Sequence, residues 1–129
     1  MESLYIEGTK KTPEIDFKAN GQLKLKGRSI PEDPSKFYDV LLHWVIRYSA
    51  QAENTTLVDI ELEYFNSGTS KALFHILKLL AELKDKGKEI KFRWIYETGD
   101  EDIFERGEYY SSLLEQEFEF IEIDNNEGN

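Results

Sequence analysis

Few side chains in this 129-residue chain could carry chemistry, and most of them stand in patterns that serve structure instead. No cysteine is present, which removes thiol nucleophiles, thiolate zinc sites, iron–sulfur clusters and disulfides together. The two histidines, His43 and His75, each fall within an amphipathic helical stretch, far from any His-Glu-x-x-His or comparable ligand spacing. Asp59, Glu61 and Glu63 alternate with Val58, Ile60 and Leu62, so three carboxylates line one face of a strand. That is the pattern of a solvated face neutralised by bases such as Lys91 and Arg93, not of an acid–base pair flanking a substrate.

The segment Asn66 to Lys71 is of another kind, because Ser67, Thr69 and Ser70 bring three hydroxyls to the point where a strand gives way to a helix. Helix N-termini leave backbone N–H groups unpaired and favour negative charge, and ligands of α/β sheets gather at this end of the strands. Three uses fit. A hydroxyl can cap the helix while Gly68 serves the turn, with nothing bound. The loop can cradle a phosphate, although the glycine and lysine spacing of a Walker motif is missing. A hydroxyl can instead accept phosphate covalently, placing about −1.5 to −2 charges on a neutral turn.

The elements that would position this junction follow from periodicity. Met1 to Ile6 reads as a short strand. Glu14 to Phe17 and Gln22 to Gly27 read as a hairpin around Asn20-Gly21, a dipeptide suited to positive φ at both turn positions. Asp33 is a candidate N-cap and Pro34 a first helical residue. Phe37, Leu41, Trp44, Val45 and Tyr48 then share one helical face over residues 34 to 50. A strand over residues 56 to 64 leads through the hydroxyl-rich loop into a helix starting near Thr69, with Leu73, Ile76, Leu77, Leu80 and Leu83 on one side and Gly87 beyond its end. Ile90, Phe92, Trp94 and Tyr96 mark the next strand, a helix is expected between Asp100 and Leu114, and Phe118 to Ile123 closes the pattern. Successive right-handed crossovers place the helices on one face of a mainly parallel sheet. The other face is left open, and its outward residues change sign from strand to strand: Lys24 and Lys26, then Asp59, Glu61 and Glu63, then Lys91 and Arg93, then Glu117 and Glu119. The fold class is therefore α/β, a single-layer mixed, mainly parallel sheet with helices packed mostly on one face. One domain over residues 1 to 124 is expected, with residues 125 to 129 a frayed tail.

A net charge of −10 argues against nucleic acid as a partner. From Glu97 onward twelve acidic residues face one base, Arg106, so the acidity belongs to the C-terminal quarter. No stretch approaches the ~20 apolar residues that membrane insertion needs, and with Glu2, Glu7, Lys10 and Lys11 near the start a signal peptide is not expected. The expected location is the cytoplasm.

Around the strand–helix junction the sequence resembles the SiaC family of bacterial regulatory phosphoproteins, whose fold is STAS-like, similar to that of anti-sigma-factor antagonists. The resemblance covers nearly the whole chain. It is carried by Ile6-Glu7-Gly8-Thr9 with Thr12-Pro13-Glu14-Ile15, by Gly27-Arg28-Ser29 followed by Pro31-Glu32, by Leu62-Glu63-Tyr64-Phe65-Asn66, by Ser70-Lys71, and by Trp94 with Tyr96. It implies a protein without catalysis or cofactor that works by partner switching. A dedicated Ser/Thr protein kinase would phosphorylate it, a metal-dependent Ser/Thr phosphatase would reverse this, and the unmodified form would bind and activate a diguanylate cyclase. In the family the acceptor directly follows the motif asparagine, usually as Thr in Asn-Thr-Ser-Ser. Here that position is Ser67, and since Gly68 replaces the next Ser, Thr69 stands in reserve. The partner surface is expected to include Phe65, Asn66, Gly68, Thr69 and Lys71, joined by Arg28, Ser29 and Pro31 if parallel pairing brings that loop to the same end of the sheet. By phase, Tyr64 continues the inward row of Leu62 and Phe65 points outward. Two rival readings use the same loop: a small nucleotide- or phosphate-binding enzyme, and a protein-binding scaffold that is never modified.

Overall fold

The computed structural model describes residues 1–124. Six strands form one sheet in sequential order: β1 Leu4–Ile6, β2 Glu14–Phe17, β3 Gln22–Ser29, β4 Thr55–Phe65, β5 Glu89–Glu97 and β6 Phe118–Ile123. The first three pair antiparallel, and β3 to β6 run parallel. Each parallel connection carries a helix, α1 Pro34–Ser49, α2 Ser67–Ala81 and α3 Glu101–Leu114, with a 3-10 turn over Glu82–Lys86 after α2. The expected tail at residues 125 to 129 lies outside the described residues.

The helices form where caps and apolar rows agree. Asp33 accepts a hydrogen bond from the Lys36 N–H and Pro34 occupies the first helical turn, which fixes where α1 starts. Leu41, Trp44, Val45 and Tyr48 are buried as the spacing requires; Tyr38 is buried with them, while Phe37 stays half-buried. Gly87 ends the 3-10 turn at φ 79°, a left-handed value that glycine adopts without a Cβ clash. The core lies between the sheet and the three helices. Leu25, Val58, Ile60 and Phe65 from the strands and Leu41, Leu73, Leu77 and Leu80 from the helices are completely buried, each side chain stabilising the fold by about 1.5–3 kcal/mol relative to exposure.

The open face of the sheet shows the expected change of sign along one row of the register, although Glu117 lies just before β6. Lys24 stands opposite Asp59, Asp59 opposite Arg93, and Arg93 opposite Glu119. Arg93 grips Asp59 with Nε and Nη2 at 2.6 and 2.7 Å. Glu61 and Glu63 are met from β3, by Lys26 at 4.0 Å and Arg28 at 3.8 Å, whereas Lys91 stands opposite Leu57 and not opposite an acid.

Two local expectations are corrected. The β2–β3 connection is a four-residue loop, Lys18 to Gly21, closed by Gly21 N–H to Lys18 C=O at 3.0 Å and Lys18 N–H to Gln22 C=O at 2.9 Å. Only Gly21 has positive φ, at 96°, so Asn20 does not form the two-residue turn. The second correction is at the end of β4. Between Gly27 and Arg28 the pairing advances one residue on β3 but two on β4, from Leu62 to Tyr64. Glu63 is thus an extra residue, and every side chain after it changes face. Phe65 goes inward and is fully buried; Tyr64 goes outward and is 44% exposed.

Candidate functional site

The β4–α2 junction is built around Asn66. Its backbone N–H donates to the Ser29 carbonyl at 3.1 Å, tying the end of β4 to the end of β3, and its Oδ1 accepts from the Thr69 N–H at 2.9 Å. Asn66 is therefore the N-cap and α2 starts at Ser67, two residues before the start read from the sequence.

This start sorts the three hydroxyls. Thr69, in the first turn of α2, is fully buried: its Oγ1 lies 2.8 Å from Ser29 Oγ and donates to the Ser29 carbonyl at 3.1 Å. Ser29 Oγ in turn lies 2.6 Å from the hydroxyl of Tyr38 on α1. Burial pushes the Tyr38 phenol up to about 12, partly offset by the hydrogen bonds with Ser29 and Thr69. Ser70 is half-buried against α3, its Oγ 2.8 Å from the Tyr110 hydroxyl, which also donates to the Ser70 carbonyl at 2.8 Å. Ser67 alone of the three stands exposed. Gly68 is needed for packing: a Cβ there would come within 2.7 Å of Pro34 Cγ at the start of α1.

A groove of about 680 Å³ runs from this junction between α2 and α3, lined by Ser67, Lys71 and Phe74 on one side and by Arg106, Tyr109, Tyr110 and Leu113 on the other, with Tyr64 at its end. Tyr64, Tyr109 and Leu113 are 44%, 63% and 49% exposed, a concentration of apolar surface beside Ser67. Arg106 donates through Nη1 to the Phe65 carbonyl at 2.9 Å, lies 4.7 Å from the centroid of the Phe65 ring, and pairs through Nε with Asp102 at 3.2 Å.

The expected contact residues separate accordingly. Asn66, Ser67, Gly68 and Lys71 surround the junction, but Phe65, Ser29, Thr69 and Pro31 are buried and shape it from beneath. Arg28 lies on the open face of the sheet beside Glu63, away from the helices. Arg106, Tyr109 and Tyr110 were not singled out by spacing; the available signal was that Arg106 is the one base among twelve acids. Among the described residues no His, Asp or Glu cluster has the arrangement of a metal site.

The family model of the SiaC family regulatory phosphoproteins matches residues 6–123. The chain belongs to the SiaC family. SiaC of Pseudomonas aeruginosa has the same fold, with a TM-score of 0.82 at 30% identity over 94% of this chain and 97% of that one. A second solved structure, the diguanylate cyclase SiaD in complex with its activator SiaC from Pseudomonas aeruginosa, matches with a TM-score of 0.87 and 30% identity, covering 93% of this chain and 99% of the other. An uncharacterised Pseudomonas aeruginosa protein is 34% identical over 112 residues, 85% of this chain and 88% of its own length. The STAS-like α/β reading and the family thus agree with the fold seen here, and the SiaC family is one of regulatory proteins. No helix among the described residues is long and apolar enough to cross a membrane.

Proposed function

We propose that this protein is a non-catalytic, cytoplasmic partner switch whose state is set at Ser67. In the unmodified form it binds and activates a diguanylate cyclase, as SiaC is the activator of SiaD. A Ser/Thr protein kinase transfers the terminal phosphoryl group of a nucleoside triphosphate to Ser67 Oγ, which loses its proton as the diphosphate leaves. A metal-dependent Ser/Thr phosphatase returns the hydroxyl by hydrolysis, releasing inorganic phosphate.

One observation carries the choice of residue. Of the three hydroxyls at the junction, Thr69 is sealed in hydrogen bonds with Ser29 and Ser70 is engaged by Tyr110, while Ser67 is exposed on the rim of the apolar groove. A kinase must reach the oxygen it modifies, and a phosphate acts as a switch only if it faces the surface that a partner uses. Modification there needs no refolding, because Asn66 and not Ser67 caps α2.

The test is calorimetric titration of a diguanylate cyclase from the same organism with the unmodified protein, with Ser67→Asp, and with protein phosphorylated in vitro, alongside measurement of cyclic dinucleotide synthesis. Binding and activation by the unmodified form, weakened at least tenfold by phosphate at Ser67, is the expected result. Equal affinity of all three forms would leave an unmodified scaffold as the better account.

A further inference from the structure

Arg106 is the single base among the acids of the last quarter of the chain, and it faces the groove that Ser67 lines. Its guanidinium offers five N–H donors in a planar fork. The contacts to the Phe65 carbonyl and to Asp102 use two of them. Neither contact is a deeply buried ion pair: the Asp102 side chain is 68% exposed, so this partner is held weakly and is easily exchanged. Yet the guanidinium itself is held in place, stacked on the buried Phe65 ring and hydrogen-bonded to a carbonyl two residues before Ser67.

We propose that Arg106 is the phosphate clamp of this switch: when Ser67 carries phosphate, the Arg106 fork leaves Asp102 and binds the phosphate oxygens across the mouth of the α2–α3 groove. This rests on Ser67 being the modified residue. Arg106 is suited to the task in a way that Lys71, also on the groove, is not. A planar fork binds two phosphate oxygens at once, whereas an exposed ammonium on a flexible stem adds only a screened point charge. The exchange also alters the docking surface. A phosphate held by the anchored Arg106 sits among Tyr64, Tyr109 and Leu113, so the phosphorylated form loses apolar docking surface in addition to gaining negative charge. Freed from its base, Asp102 adds to the acidity of Glu101 and Glu105 on α3.

The test uses full-length protein carrying phosphoserine at position 67 installed during synthesis, so that no kinase is needed. The second ionisation of that phosphate, ordinarily near pH 6, is followed by phosphorus NMR. A clamp favours the dianion and lowers the midpoint, here by roughly one pH unit. The midpoint is expected to rise most of the way to the ordinary value in Arg106→Gln, the N-terminus of α2 keeping the remainder, to rise less in Arg106→Lys, and to move little in Lys71→Gln. In the unsubstituted protein, the Nε–H resonance of Arg106 is expected to shift with the same midpoint, which holds even if the Arg106 variants fold poorly. An unshifted midpoint, or an Arg106 resonance indifferent to it, overturns the clamp. These outcomes are separate from the switch itself: if the kinase modifies a residue other than Ser67 the proposed function fails, whatever the phosphate midpoint shows.

Discussion

Ser29 and Thr69, forty residues apart in sequence, place their hydroxyl oxygens 2.8 Å apart in the core, with both residues fully buried. One bond thereby joins the end of β3 to the first turn of α2, and Tyr38 extends it to α1. Three elements that meet at the candidate site are held in one orientation by hydroxyls that solvent does not reach.

It follows that two hydroxyls only two residues apart answer oppositely to deletion. Thr69→Val removes two buried hydrogen bonds, to the Ser29 hydroxyl, which keeps Tyr38, and to the Ser29 carbonyl, which keeps the Asn66 N–H, and is expected to cost about 1–3 kcal/mol. Ser67→Ala, at an exposed first-turn position, is expected to stay within about 0.5 kcal/mol of the parent. Urea unfolding of both variants checks this; a stability loss for Ser67→Ala equal to that of Thr69→Val would contradict the assignment of Asn66 and Thr69 as the structural pair.

At Gly68, the second residue of α2, packing accounts for the glycine. A Cβ at 2.7 Å from Pro34 Cγ cannot be accommodated without displacing the start of α1 or α2. Gly68→Ser is therefore expected to destabilise by about 1–3 kcal/mol. The same change combined with Pro34→Ala should cost less than the two single changes added together, since the clash partner is gone. Additive costs in a double-mutant cycle would show that the two residues do not meet.

Much of this architecture was legible because period and punctuation agreed. The bounds of β6, the α1 cap at Asp33 and the sign-alternating face of the sheet all follow from local patterns, and the register confirms them. The candidate site was less legible at the point that matters most. Alternation assigns Tyr64 inward and Phe65 outward, and it fails because Glu63 is inserted into the pairing opposite the Gly27–Arg28 step. Nothing within β4 announces that insertion; it depends on how a neighbouring strand ends. Arg106 was hidden for a related reason. Its partners, the Phe65 carbonyl and ring, belong to a strand forty-one residues earlier, a distance that no sequence period spans.

Gly107 lets α3 lie directly against the ring of Trp94 on β5. A Cβ at this position would lie 2.6 Å from the Trp94 ring, whose Nε1–H donates to the Ile103 carbonyl at 2.9 Å. Gly107→Ala gains helix propensity of about 1 kcal/mol in isolation, yet it is expected to destabilise the protein by about 1–3 kcal/mol, because a rigid, buried indole cannot yield. Trp94 fluorescence during thermal unfolding reports both the stability and the local displacement; a stabilised Gly107→Ala would mean that α3 can lift from β5 at no cost.

Alkaline pH tests the hydroxyl cluster from another side. The Tyr38 phenol is pushed up to about 12 by burial, whereas in the unfolded chain it ionises near 10. Because the folded state holds the proton more tightly, this group's contribution is complete below pH 10 and is lost as pH rises from about 10 to 12. A separation of that size corresponds to about 3 kcal/mol, an upper figure for a phenol that burial keeps from solvent. Burial also raises the ionisation of Tyr110, against the opposing effects of the Ser70 hydrogen bond and the Arg106 charge, so it adds to the alkaline loss in the same direction. Tyrosinate absorbance from Tyr38 and Tyr110 is expected to rise late, together with loss of structure. Tyr38→Phe, which lacks the ionisable group, should lower stability at pH 7 by the lost hydrogen bond to Ser29, about 1 kcal/mol, while flattening the fall between pH 10 and 12. If Tyr38→Phe declines with pH as steeply as the parent, the buried phenol is not what limits the fold in alkali.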